Sequence, residues 1–303
     1  MVGIIEISCI NYGKTHLKEV FFMNTTELKK SVERYIAHLT TEEKALSTRT
    51  QYAHTIEQFI MWLDDHAEIT KRTVIRYKEK LKTAYKPATV NIKLAALNSL
   101  FTFLERTDLK VKQLKIQREA YCAQEKELTY DDYRRLVAAA KNKGNEKLSL
   151  VIQTIGGTGI RVSELKFITV EAVENGEADI SSKGKNRKVL LPGKLCKLLK
   201  KYIRRQHLEA GSVFITRTGK PLDRSNIWRM MKALCEDAQV DPKKVFPHNL
   251  RHLFARKFYS IDHDIAKLAD MLGHSSINTT RIYIMTTSRE HRKQLDKMNL
   301  IFY

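Results

Sequence analysis

Apolar residues recur at helical spacing through most of this chain, and that pattern limits the fold more than any other feature. In PATVNIKLAALNSLFTFL, residues 87–104, Val90, Leu94, Leu97, Phe101 and Leu104 alternate in steps of four and three. That spacing stacks them on one face of an α-helix. Pro87 suits the first turn, where its missing N–H has no helical partner to lose. TRTQYAHTIEQFIMWL, residues 48–63, likewise aligns Tyr52, Ile56, Phe59, Ile60 and Leu63, with Ser47 or Thr48 as the expected N-cap. Two more helices, near 25–39 and 70–83, complete a four-helix domain over residues 24–107.

The periodicity then stops. Residues 108–125, DLKVKQLKIQREAYCAQE, are rich in Lys, Gln and Arg and read as a linker. A helix restarts at LTYDDYRRLVAAA, with Thr129 as N-cap and Asp132 at the capping-box position. Helices dominate from 126 to 290 with one break. ADISSKGKNRKVLLPG predicts two short strands, near 177–181 and 187–191, joined by a polar turn. In GGTGIRVSEL one helix is expected to end near Gly157 and the next to begin near Val162, with Arg161 at the junction. The expected fold is mainly α with a small β-sheet: an N-terminal four-helix domain, a linker, an α+β domain over 126–290, and a tail at 291–303.

Residues 1–23 fit neither domain. Lys18-Glu19-Val20 can be encoded AAG-GAG-GTN, which resembles a bacterial ribosome-binding sequence a few bases before Met23. Either translation starts at Met23 or this segment is a weakly structured extension.

The formal charge is +20 over 303 residues. Residues 24–107 carry 14 Lys+Arg against 10 Asp+Glu, and residues 108–303 carry 38 against 22. So large a surplus, concentrated in the C-terminal part, favours a polyanionic partner, with nucleic acid first. No apolar run approaches the roughly 20 residues that span a bilayer, and no signal peptide is evident. A cytoplasmic protein is expected. The four cysteines, Cys9, Cys122, Cys196 and Cys235, have no CxxC spacing and read as reduced thiols.

PHNLRHLFA, residues 247–255, places two histidines four apart. His248-x3-His252 follows Cys235 at the spacing of half a zinc finger, but the partner cysteine just before Cys235 is missing. Asn249 stands where HExxH needs its glutamate. Gly156, Gly157 and Gly159 lack the spacing of a nucleotide loop. Neither a metal nor a cofactor is expected.

Four motifs in order resemble the tyrosine recombinase (phage integrase) family. TGIRVSEL at 158–165 is similar to its first arginine motif, and SKGKNRKVLLP at 182–192 to the hairpin that carries its lysine. HNLRH at 248–252 is similar to its His-x-x-Arg motif. LGHSSINTTRIY at 272–283 is similar to its second histidine followed by the nucleophilic tyrosine. The resemblance spans roughly 25–290 and implies a helical SAM-like core-binding domain followed by a catalytic domain. Its implied catalytic set is Arg161, Lys183, His248, Arg251, His274 and Tyr283. Ser182 stands where the family often has glycine, so either Lys183 or Lys185 is the acid.

This set suits phosphodiester transesterification. Tyr283 would attack phosphorus and form a phosphotyrosine, splitting one hard step into two. Arg161 and Arg251 would fork onto the non-bridging oxygens, where negative charge concentrates. Lys183 would protonate the leaving 5′ oxygen, His248 would act as acid/base on the tyrosine, and His274 would donate to the phosphate. His252 reads as structural. The implied partner is double-stranded DNA, with a homotetramer on paired sites and, in some systems, an accessory DNA-bending or directionality protein. The apolar tail end, Met298 to Tyr303, would dock either on its own domain or on a neighbouring subunit. A type IB topoisomerase-like nicking-closing enzyme and a non-catalytic DNA-binding protein are the alternative readings.

Overall fold

In a computed structural model of the chain, residues 24–63, 68–116, 127–182, 185–284 and 297–298 are described. Readings that concern residues 1–23, Lys183 and most of the tail lie outside these residues. The chain forms two compact units, residues 1–118 and 119–303.

Among the described residues the first unit holds four α-helices: α1 (Thr25–Thr41), α2 (Leu46–Trp62), α3 (Lys71–Ala84) and α4 (Pro87–Phe103). Asn24 caps α1 by accepting from the Glu27 N–H at 2.9 Å, and Glu27 reaches back to the Asn24 N–H. Thr70 caps α3 in the same reciprocal way with Thr73. The start of α2 differs from the sequence reading. Its N-cap is Ala45, with no side-chain bond, and Ser47 and Thr48 lie inside the helix. The periodic residues of α4 close the core with Leu28, Tyr35, Phe59 and Tyr77. Burying each such side chain is worth about 1.5–3 kcal/mol.

The first residues of the stretch read as a linker pack as part of this unit. Leu109 and Val111 are buried in its core. The side chain of Asn98 brackets Val111 and that of Asn91 brackets Leu114, each donating to the carbonyl and accepting from the N–H. An extended strand held by side-chain amides leaves no periodicity to read.

In the second unit, Thr129 and Asp132 form the expected capping box at the start of α5 (Tyr130–Asn142). Helix α6 (Glu146–Thr158) is apolar around most of its surface, as a central helix must be. It ends at Thr158, one residue later than expected, and Gly159 caps it at φ 67°. A side chain at 159 would be strained there and would also strike the Phe254 ring. A 3₁₀ turn over Val162–Phe167 and α7 (Val170–Asn175) lead into an antiparallel hairpin of β1 (Glu177–Ser182) and β2 (Lys185–Leu190). Its pairing runs from Glu177–Leu190 to Ser182–Lys185, so β2 begins two residues earlier than the sequence suggested. Helices α8 (Gly193–Arg205), α9 (Arg224–Lys232), α10 (Pro247–Asp262), α11 (Ile265–Leu272) and α12 (Ile277–Ile284) follow. Helix α6 packs against α5, α8 and α10, and α10 packs against α11 and α12. Among the described residues the fold is therefore mainly α with one two-stranded sheet.

Candidate active site

Helix α10 delivers Arg251 into the interior of the second unit, where the residue is 1% exposed. Its Nη1 donates to the Gly159 carbonyl at 2.5 Å and its Nη2 to the Leu272 carbonyl at 2.7 Å. These are the last carbonyls of α6 and α11, each freed by a left-handed glycine that follows or ends the helix. The Arg251 Nε is buried with no partner among the described residues. Burial, then the nearby Arg161 charge, push this guanidinium down to about 10, so it stays cationic at neutral pH.

Arg251 Nη2 also lies 2.9 Å from His274 Nε2. Arginine only donates, so Nε2 must accept, and the ring proton sits on Nδ1. Nδ1 lies 2.8 Å from Thr280 Oγ1 and therefore donates to it. Burial, then Arg251 and Arg161, push His274 down to about 4, which keeps it neutral. In this state its Nε2 is an acceptor rather than the phosphate donor that the motif implies.

Arg161 leaves the Gly159 turn as the N-cap of the 3₁₀ segment. Its Nη1 pairs with Glu164 Oε1 at 2.9 Å, and its N–H donates to Oε2 at 2.7 Å. The Arg161 side chain stays 41% exposed while that of Glu164 is 1% exposed. Arg187 on β2 forks onto both oxygens of the same carboxylate at 3.0 and 2.8 Å. Burial alone would raise Glu164, but the Arg187 fork and the Arg161 N–H hold it below the usual carboxylate range. One buried carboxylate thus fixes two arginines, one from the 3₁₀ segment and one from β2.

Tyr283 on α12 is 7% exposed and belongs to a small apolar cluster with Ala255, Leu268 and Leu272. Its ring stacks on His252 at 4.2 Å and 19°. His248 meets it edge-on at 5.4 Å, and His274 is tilted at 5.1 Å. The Arg251 guanidinium lies 5.8 Å from the ring centre. His248 is lowered by burial, then by Arg251, Arg161 and Arg224. His252 is pushed down to about 4 by burial, then by His248 and Arg251.

The structure clusters His248, Arg251, His274 and Tyr283, with Arg161 near enough to act on the three basic groups electrostatically. Lys183 lies outside the described residues. Glu164, Arg187 and Thr280 were not singled out from sequence, although each sits inside a quoted motif. The signal that would have found Glu164 is its spacing, since a carboxylate three residues after an arginine at a helix start forms a capping contact.

The phage integrase family model matches residues 126–290, more than half of the chain. The chain belongs to the phage integrase family, the tyrosine recombinases. The family's N-terminal SAM-like domain model matches residues 32–111. The tyrosine recombinase XerA of Pyrococcus furiosus is 27% identical over 281 residues, covering 89% of this chain and 94% of that protein. Among solved structures, the Tn1549 transposon integrase in complex with transposon right-end DNA superposes with a TM-score of 0.70 at 16% identity. That match covers 92% of this chain and all of that one. A λ integrase tetramer bound to a Holliday junction gives 0.69 at 17% identity, covering 87% of this chain and 78% of that one. At these identities the two structures share the fold.

Proposed function

We propose that this site-specific DNA recombinase cleaves and rejoins DNA through a 3′-phosphotyrosine on Tyr283. The observation that carries the reading is the seating of the Tyr283 ring against His252, 5.1 Å from His274 and 5.8 Å from the Arg251 guanidinium. The same tyrosine lies beside a buried arginine whose Nε has no partner among the described residues, which leaves that cation free to meet a phosphate oxygen.

The Tyr283 oxygen attacks phosphorus, and the bond to the 5′ oxygen breaks. His248, held neutral by burial and by neighbouring cations, accepts the phenol proton. Lys183 protonates the departing oxygen, with Lys185 as the neighbouring alternative. Arg161 and Arg251 take up the charge on the non-bridging oxygens, and removing one such donor costs on the order of 3 kcal/mol at the barrier. His274, with its Nε2 accepting from Arg251, orients that guanidinium toward the phosphate. The bond energy is kept in the phosphotyrosine, so rejoining needs neither a nucleotide nor a metal.

The partner is double-stranded DNA, bound by the surplus of cations on the second unit. Strand exchange between two duplexes with two sites each calls for a homotetramer, the assembly that the λ integrase structure holds on its junction. An accessory DNA-bending protein serves the same assembly. No helix among the described residues is long and apolar enough to cross a membrane, and an enzyme acting on cellular DNA works in the cytoplasm.

The test is covalent attachment to a duplex nicked beside the cleavage point. The duplex carries the binding site selected from a random-sequence pool. Attachment through Tyr283, mapped by mass spectrometry, supports the reading. Binding without attachment reduces the protein to a DNA-binding module.

A further inference from the structure

Only Thr280 and Tyr283 on α12 are buried, and they lie three residues apart on one face. Thr280 is fully buried. Its hydroxyl is the partner of His274 Nδ1 at 2.8 Å, and His274 Nε2 is in turn the partner of Arg251 Nη2 at 2.9 Å. The direction of this relay is forced. Arginine has no acceptor, so Nε2 accepts; a neutral ring then carries its proton on Nδ1, and the threonine oxygen receives it. Apart from a side-chain contact with Tyr283, the other Arg251 bonds go to main-chain carbonyls. His274 is thus the side chain that decides how the second Nη2 hydrogen is spent, and Thr280 decides how His274 stands.

We propose that Thr280 is a positioning residue. Its hydroxyl, brought in by the helix that carries Tyr283, holds His274 as the Nδ1–H tautomer with Nε2 turned to Arg251. Seating the nucleophile and orienting the phosphate-binding arginine are then a single event. When α12 leaves its place, Tyr283 and the hydroxyl leave together, and the His274 ring is free to rotate or to move its proton to Nε2. A protomer whose tyrosine is withdrawn therefore also lacks a set Arg251. The inference rests on the reading of Tyr283 and Arg251 as catalytic. Its first observable, the state of the His274 ring in the free protein, does not.

A buried threonine also packs, and two substitutions separate the two roles. Thr280→Val keeps the volume and removes the hydroxyl. Thr280→Ser keeps the hydroxyl and removes a methyl group. Packing alone makes Val the mild change and Ser the harmful one; the relay makes the opposite order.

The experiment uses the full chain with ¹⁵N-labelled histidine and reads the His274 ring nitrogens by NMR. It also measures the rate of covalent attachment to the selected nicked duplex and the equilibrium binding of that duplex. The wild type and Thr280→Ser should both show Nδ1–H with an unprotonated Nε2. Thr280→Val should lose that single state and attach about tenfold more slowly, the value of one lost hydrogen bond, with binding changed by less than about twofold because phosphate contacts elsewhere dominate it. A wild-type ring protonated at Nε2 overturns the proposal whether or not the variants fold. So does Thr280→Val with wild-type tautomer and rate, or Thr280→Ser as slow as Thr280→Val. If Tyr283→Phe still attaches to DNA, the fault lies with the catalytic reading, and the NMR result stands by itself.

Discussion

His252 lies flat against Tyr283, with ring centres 4.2 Å apart and planes 19° from parallel. The second histidine of HNLRH thus forms a stacking wall for the tyrosine, one turn of α10 after His248 meets the same ring edge-on. A neutral ring serves this purpose, and His252 is pushed down to about 4. His252→Phe should therefore keep covalent attachment near the wild-type rate, whereas His252→Ala should slow it several-fold, since an aromatic pair is worth about 0.5–1.5 kcal/mol. Single-turnover attachment kinetics at saturating protein check both. Equal losses in the two variants would make the imidazole nitrogens, rather than the stacked face, the working part.

Arg161 and Arg251 should separate in stability although the same role at the phosphate is proposed for both. Each replaced by Ala should slow cleavage by about a hundredfold. Arg251 also holds the Gly159 and Leu272 carbonyls. Leaving two buried carbonyls without a donor costs about 1–3 kcal/mol each. Arg161, which is 41% exposed, leaves Glu164 still forked by Arg187. Thermal unfolding should show a lower melting temperature for Arg251→Ala and a small change for Arg161→Ala.

The buried histidines also set an acid limb for stability. His252 binds its proton more weakly in the folded protein, falling from 6.5 to about 4. As pH drops, the unfolded chain takes up that proton first. The stabilisation is complete above about pH 6.5 and is lost as pH falls toward about 4. His274 acts in the same direction. Replacing His252 by Phe should make the fall of melting temperature between those limits shallower, with His274 keeping the rest, and melts recorded from pH 7 to pH 4 would detect it. An unchanged slope would mean that His252 is not the group being titrated.

How much of this was legible in the sequence depended on whether a residue acts through its neighbours in the chain or across the fold. Arg161, His248, Arg251, His274 and Tyr283 stand in short motifs with fixed spacing, and the structure places them close together. The caps at Thr129 and Thr70 depend on contacts three residues apart, and the Thr129 cap was read directly. Glu164 binds Arg187 across 23 residues, and Thr280 owes its importance to a histidine on the preceding loop; neither leaves a periodic trace. The start of α2 was misread because Ser47 and Thr48 have the right cap chemistry, while the chain enters the helix at Leu46 without using it. Leu109 and Val111 were hidden by the lysines and glutamine around them, and Val111 is held by Asn98 of α4.

The choice of acid can be settled chemically. Lys183→Ala should stall cleavage of an ordinary 5′ oxygen leaving group. A 5′-bridging sulfur substrate, which leaves with little need of a proton, should restore much of the rate. Rescue of Lys185→Ala, with Lys183→Ala unaffected, would move the acid two residues along the hairpin.

The central claim is that Tyr283 is the nucleophile, and the most direct measurement compares wild type with Tyr283→Phe on the selected nicked duplex. Phenylalanine keeps the ring against His252 and removes only the oxygen. The wild type should become covalently attached to the 3′ phosphate at Tyr283. The variant should bind the duplex with near-normal affinity and form no covalent complex. A covalent complex that persists in Tyr283→Phe would contradict the account.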